Sequence, residues 1–190
     1  MCRLVTCLLI STNSKQSNPN QERIMKQQQA FTFSIGLLAF VDTYLTATIL
    51  PVPVWVTFIA WASFFIVGGG NAGLFKSISS NLTGLVISSM TLLAIEFSGL
   101  TPLTAAVMVG LGSAIMVQAS RLTLLNILPA IVWGFASTVG TTVATGKNIT
   151  TIGIDNPALI AATALMVGGL FGYVSEIFGN ALTGKEHKPA

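Results

Sequence analysis

The sequence predicts an all-α integral membrane protein, folded as a bundle of about six transmembrane helices. Of its 190 residues, 52% are hydrophobic and 8% are charged, whereas soluble domains carry about 25% charged residues. The mean hydropathy is +0.77, and the few charges are clustered, so that long stretches contain one charge or none. Because a helix needs roughly 17–25 apolar residues to cross a bilayer, these stretches predict membrane spans.

The first 29 residues are predicted to lie outside the membrane domain. Residues 1–10 are apolar and the following stretch is polar, and neither part has the periodicity of a packed helix. The charged start and the cleavage site of a signal peptide are missing. We interpret residues 1–29 as disordered or as a mis-assigned extension with Met25 as the natural start, because residues 21–24 can be encoded by a purine-rich ribosome-binding stretch.

Proline, glycine and charged residues divide the remainder into a transmembrane domain at 30–178 and a cytoplasmic tail at 179–190. Pro51 and Pro53 end the first span, and a glycine run at 68–73 ends the second. The second span is the shortest, and an alternative five-helix arrangement makes it re-entrant. The six spans are predicted at residues 30–50, 52–68, 77–97, 101–119, 124–145 and 157–177.

The distribution of Lys and Arg predicts that both termini are cytoplasmic, because cytoplasmic loops of membrane proteins carry an excess of these residues. In this orientation the external side holds Lys147 alone. The cytoplasmic side holds Arg3, Lys15, Arg23, Lys26, Lys76, Arg121, Lys185 and Lys188.

A weak similarity links the second and fifth spans, at residues 53–64 and 129–137. Each has a proline followed by tryptophan, small and aromatic residues. If helices one to three duplicate helices four to six, the odd number forces a 3+3 inverted repeat, as in many channels and transporters. Such strings also arise in membrane helices without duplication, so both interpretations stay open.

Asp42 is the leading candidate for a functional residue, since it lies near the middle of the first span. An ionisable group at that depth costs about 2.5–3.5 kcal/mol or more, so it is expected to face the bundle interior or a water-filled cavity. The alternative is a structural aspartate that is bonded by Thr43, by Thr46 or by a neighbouring helix.

The glycine run has two interpretations. Irregular backbone next to membrane spans is tolerated where it lines a cavity, which makes Gly69, Gly70 and Asn71 candidates for a pore entrance. Asn81 and Thr83, inside the third span, add polar groups to the same predicted path. The alternative is a tight cytoplasmic turn with close helix packing.

Three further features have structural explanations. Glu96 and Glu176 lie near the ends of the third and sixth spans, on opposite sides of the membrane, and are expected to reach headgroups or water. Asp155 or Asn156 is expected to cap the sixth helix, with Pro157 as its first helical residue. Small residues at 106, 110 and 114, and at 168 and 172, predict packing faces within or between subunits, and hence a homo-oligomer.

No enzyme activity is expected. The single histidine, His187, lies in the tail, no Ser or Cys has a plausible base partner, and there is no metal-ligand cluster or phosphate-binding glycine loop. We therefore predict no cofactor, no metal and no nucleic-acid partner.

The order Trp61-Ala-Ser-Phe64, Gly69-Gly70, Gly73, Lys76 and Gly84, followed by GGLFGY at 168–173, resembles a family of short bacterial inner-membrane proteins. The family is known as domain of unknown function 1097. The resemblance covers residues 30–178 and implies a compact multi-helix bundle in the bacterial inner membrane. It implies no activity and no binding residues.

The expected function is a channel or transporter with a narrow path for a small neutral or cationic solute, because the one central charge is negative. The alternative is a non-transporting membrane subunit that stabilises or regulates a partner membrane protein.

Overall fold

The computed structural model describes the backbone of residues 19–183 and the side chains of residues 26–183. Most of the predicted extension and tail therefore lie outside the described residues. Within 19–183 the structure has six α-helices and a short 3-10 turn at Thr123–Leu125. The helices are α1 (Pro19–Thr48), α2 (Val54–Ile66), α3 (Gly70–Phe97), α4 (Pro102–Ala119), α5 (Leu128–Thr145) and α6 (Pro157–Leu182).

Five of these helices are long and apolar enough to cross a membrane: the Lys26–Thr48 part of α1, and α3, α4, α5 and α6. The remaining helix, α2, has 13 residues and is about 20 Å long, which is less than the roughly 30 Å of a bilayer core. The chain is an all-α, multi-pass membrane protein, and its shortest predicted span is also its shortest helix.

Four helices form the centre of the bundle. α2 packs chiefly against α6, and α3 packs chiefly against α5, while α1 lies on α6 and α4 lies on α3. Only 11% of the span is buried in α1 and in α4, compared with 39% in α5 and in α6. α1 and α4 are therefore peripheral helices whose outer faces meet lipid.

Glycines let the central helices touch through their backbones. A Cβ on Gly84 of α3 would overlap the carbonyl group of Ile131 on α5, and one on Gly134 would overlap the carbonyl group of Asn81. On the other side of the bundle, a Cβ on Gly168 of α6 would overlap the carbonyl group of Thr57 on α2. Close approach of this kind is typical of packed membrane helices.

The helix bounds differ from the predicted spans by more than two residues at four places. α1 begins at Pro19 and not at 30, and α6 ends at Leu182 and not at 177. α3 begins at Gly70, because the irregular backbone is confined to a short turn in which Gly68 and Gly69 have φ values of 111° and 69°. α5 begins at Leu128 and not at 124, because the 3-10 turn precedes it and a proline occupies its first turn.

The predicted cap of the sixth helix is confirmed. The side chain of Asn156 accepts hydrogen bonds from the backbone N–H groups of Ala158 and Leu159, and Pro157 is the first helical residue.

Candidate functional site

The centre of the bundle contains a polar core of buried serine, threonine, asparagine and aspartate side chains. Most of these hydroxyl groups donate to a backbone carbonyl of their own helix, as Thr138 does to Gly134. Four buried oxygen atoms differ, because they have no hydrogen-bond partner. They are Asp42 Oδ1, Ser80 Oγ, Asn81 Oδ1 and Ser137 Oγ.

Asp42 is completely buried on the inner face of α1. Its Oδ2 lies 2.5 Å from the hydroxyl oxygen of Thr57 on α2. Since the backbone of Thr57 contacts Gly168, which is about 17 Å along α6 from Pro157 at ~1.5 Å per residue, this pair lies near the middle of the bundle. The prediction that Asp42 faces the interior agrees with its position, and its partner belongs to a neighbouring helix.

A second set of polar groups connects α2 to α3. Ser77 donates to Ser63 across the two helices at 2.9 Å, and the Asn81 side-chain nitrogen donates to Ser77 at 3.3 Å. Asn81 also contacts Gly134 of α5 through its backbone. Its side-chain oxygen is buried and has no hydrogen-bond partner.

The glycine turn lies at one end of the bundle, apart from the polar core. The backbone N–H of Gly70 donates to Glu176 Oε2 at 2.7 Å, and a Cβ on Gly69 would lie 2.6 Å from the other carboxylate oxygen of Glu176. Asn71 is exposed and accepts a 2.6 Å hydrogen bond from the hydroxyl of Tyr173. The glycine run is therefore a turn that is bonded to α6. The structure does not bring Gly69, Gly70 and Asn71, which were predicted to line a pore entrance, into contact with the polar core.

Thr83, the remaining predicted path residue, donates to the carbonyl of Ser79 on its own helix at 2.8 Å. Its hydroxyl is thereby satisfied locally. Of the six predicted residues, the structure places two, Asp42 and Asn81, in the polar core.

The opposite end of the bundle carries a similar arrangement. Glu96, near the end of α3, accepts from the backbone N–H of Ile149 at 3.1 Å and from the hydroxyl of Thr150 at 3.2 Å. Both residues belong to the connection between α5 and α6. Glu96 and Glu176 are each half-buried, and each bonds to the protein where headgroup or water contacts were expected.

Residues 32–180 match the family described as Protein of unknown function (DUF1097). The chain belongs to this family. No curated protein and no solved structure matches the chain. The resemblance predicted over residues 30–178 is therefore confirmed, with nearly the same bounds.

Sequence reasoning missed several polar-core residues of this DUF1097 protein, above all Ser63, Ser80 and Ser137. A signal for part of the core is present in α3, where small or polar residues recur at spacings of four and three. Such spacing places them on one helical face, and the structure buries all of them: Ser77, Asn81, Gly84, Ser88 and Thr91.

Among the described residues, no group of three His, Cys, Asp or Glu side chains comes together in a way that could hold a metal ion. The polar core consists of hydroxyl, amide and carboxyl groups. Their oxygen atoms accept hydrogen bonds or coordinate positive charge, and the hydroxyl and amide groups also donate hydrogen bonds.

Proposed function

We propose that this DUF1097 protein is a channel or transporter of the bacterial inner membrane with a narrow path for a small solute. The observation that carries the proposal is the set of four unpartnered, buried oxygen atoms of Asp42, Ser80, Asn81 and Ser137. Leaving a buried polar atom unpaired costs about 1–3 kcal/mol. Such groups at membrane depth are retained where water or a solute satisfies them.

The proposed solute is neutral or cationic. Asp42 Oδ1 and Asn81 Oδ1 accept hydrogen bonds, whereas the hydroxyls of Ser80 and Ser137 both donate and accept. The four groups therefore suit a neutral polar molecule or a cation. Asp42 is the buried acidic residue of the set, and no Lys or Arg is buried among the described side chains. The described part of the core thus holds no positively charged side chain that could bind an anion.

A 3+3 inverted repeat is part of the proposal, with α1, α2 and α3 equivalent to α4, α5 and α6. The helix contacts support it: α2 on α6 corresponds to α5 on α3, and α1 on α6 corresponds to α4 on α3. The close backbone contacts at glycines are related by the same equivalence of helices. Gly168 of α6 contacts the backbone of Thr57 on α2, and Gly84 of α3 contacts the backbone of Ile131 on α5. Three helices per copy imply opposite orientations, as in many transporters.

The two glutamate contacts give independent support. Glu176 on α6 binds the start of α3, and Glu96 on α3 binds the segment before α6. Each thus connects the third helix of one half to the third helix of the other half, at the start of α3 and in the connection that precedes α6.

The proposed topology has both termini in the cytoplasm, with α2 as the second of six crossings although it is shorter than the bilayer core. A homo-oligomer remains part of the proposal. Gly168 and Gly172 pack within the subunit, where they meet Thr57 and Phe64 of α2. Gly110 on the peripheral helix α4 has open space around it, which leaves the small-residue face of that helix for a subunit contact.

The test is solute flux into liposomes that contain the full chain, followed by stopped-flow light scattering with urea, glycerol and ammonium as probes. We expect entry above the rate of empty vesicles for at least one probe, and a changed rate in Asp42→Asn and Asn81→Leu. Asp155→Asn is the matched control, because it removes a carboxylate from an exposed loop. Equal rates in protein-containing and empty vesicles would contradict the proposal and favour the non-transporting subunit.

A further inference from the structure

Asp42 has no positively charged neighbour in the part of the chain that the structure describes. α1 packs against α6 and α2, and α2 contains no titratable side chain. On α6, Tyr173 and Glu176 bond to the start of α3. On α1 itself, Lys26 is about 24 Å away along the helix at ~1.5 Å per residue, and Tyr44 is 60% exposed on the outer face.

The contacts of the Thr57 hydroxyl indicate whether the carboxyl group of Asp42 is protonated. Its oxygen lies 2.5 Å from Asp42 Oδ2 and 2.7 Å from the carbonyl oxygen of Val54. A hydroxyl has a single hydrogen, and an ionised carboxylate and a carbonyl are both acceptors. An ionised Asp42 would therefore leave these two acceptors to share one hydrogen.

If Asp42 is protonated, each of the two short contacts of the Thr57 oxygen contains one hydrogen atom. The carboxyl O–H then donates to the Thr57 hydroxyl oxygen, and the Thr57 O–H donates to Val54. The unpartnered Oδ1 becomes a neutral carbonyl oxygen, whose burial costs far less than that of a carboxylate.

We propose that Asp42 is a proton-binding site and that the proton is coupled to the solute path, so this inference rests on the proposed function. In the conformation described here Asp42 holds one proton. Loss of that proton leaves one negative charge on the carboxylate. Water or a cationic or hydrogen-bond-donating solute that reaches Oδ1 stabilises this charge. Proton release and solute arrival therefore occur at the same side chain.

The test is infrared spectroscopy of the full chain in lipid bilayers at pH 7, in H2O and D2O. We expect the C=O stretching band of a protonated carboxyl group, with a shift in D2O. The band is expected to be present in wild type and in Asp155→Asn and absent from Asp42→Asn. Absence of the band from wild type, or its persistence in Asp42→Asn, would overturn the inference.

A second variant keeps the test independent of whether Asp42→Asn folds. Thr57→Val retains the carboxyl group and removes its hydrogen-bond acceptor, so the band is expected to move to higher frequency. An unchanged band position in this variant would show that the proton is not held between Asp42 and Thr57. Loss of the wild-type band when sodium replaces choline at constant pH would identify sodium as the ligand and would also overturn the inference.

Flux and infrared measurements separate the two proposals. A protonated Asp42 without solute flux retains the proton site and contradicts the transport function. Solute flux without the carboxyl band contradicts the proton site and retains the transport function.

Discussion

Glu176 on α6 accepts a 2.7 Å hydrogen bond from the backbone N–H of Gly70, the first residue of α3. The first N–H groups of a helix have no partner within the helix, and its N-terminus carries a partial positive charge that a carboxylate stabilises. Through this contact a residue near the end of the sixth helix determines where the third helix begins.

Glu176→Ala is expected to lower the free energy of unfolding by about 1–3 kcal/mol, because it leaves the Gly70 N–H unpaired in a half-buried position. Glu176→Gln retains an acceptor oxygen and is expected to lose less. The measurement is unfolding in detergent mixtures, with Asp155→Asn as the control for loss of a surface carboxylate. A Glu176→Ala protein as stable as wild type would contradict the structural role of the contact.

Gly84→Ala is expected to destabilise the bundle by about 3 kcal/mol or more, because the new methyl group would overlap the backbone of Ile131 and force α3 away from α5. Gly36→Ala, on the peripheral helix α1, is the matched control, since nothing lies within 4 Å of the added atom. Its expected effect is neutral or stabilising, by up to about 1 kcal/mol from helix propensity. Thermal unfolding of the two proteins in the same detergent distinguishes them, and similar melting temperatures would rule out the close helix contact.

The hydrogen bond between Ser63 and Ser77 is expected to contribute modestly. Double-mutant cycles in membrane proteins give about 0.6 kcal/mol for such bonds, with a maximum near 1.7 kcal/mol. Ser63→Ala, Ser77→Ala and the double variant provide the cycle, with unfolding free energy as the readout. Strict additivity of the single effects would mean that the two hydroxyls do not interact in the membrane.

Cysteine labelling tests the proposed orientation. Ile152, in the connection between α5 and α6, is 97% exposed, and Ala181, near the end of α6, is also exposed. In a Cys2→Ser, Cys7→Ser background, a membrane-impermeant maleimide applied to intact cells is expected to label Ile152→Cys. Ala181→Cys is expected to react only after permeabilisation. The reverse pattern would invert the topology.

The sequence predicts those features that depend on local composition. The apolar stretches locate the helices, Asn156 and Pro157 locate the start of α6, and the depth of Asp42 places its side chain inside the bundle. Each of these follows from neighbouring residues, through bilayer thickness, capping or the cost of a charge in lipid.

The remaining features depend on contacts between distant residues. α3 begins at Gly70, where Glu176, more than a hundred positions later, accepts a hydrogen bond from the first N–H of the helix. Ser63, Ser80 and Ser137 look like many other serines in the sequence, and only the packing of α2, α3 and α5 buries them. Local helix propensity and hydropathy contain no information about such partners.

The glycine crossings also determine which parts of the protein can move as units. Where Gly84 meets Ile131 and Gly168 meets Thr57, backbone rests on backbone, so neither pair can slide apart through a change of side-chain rotamer. α3 with α5 and α2 with α6 therefore form two closely packed pairs, each assembled from one helix of either half of the chain. The hydrogen bond between Ser63 and Ser77 joins one pair to the other, so a displacement of the two pairs relative to each other would break it.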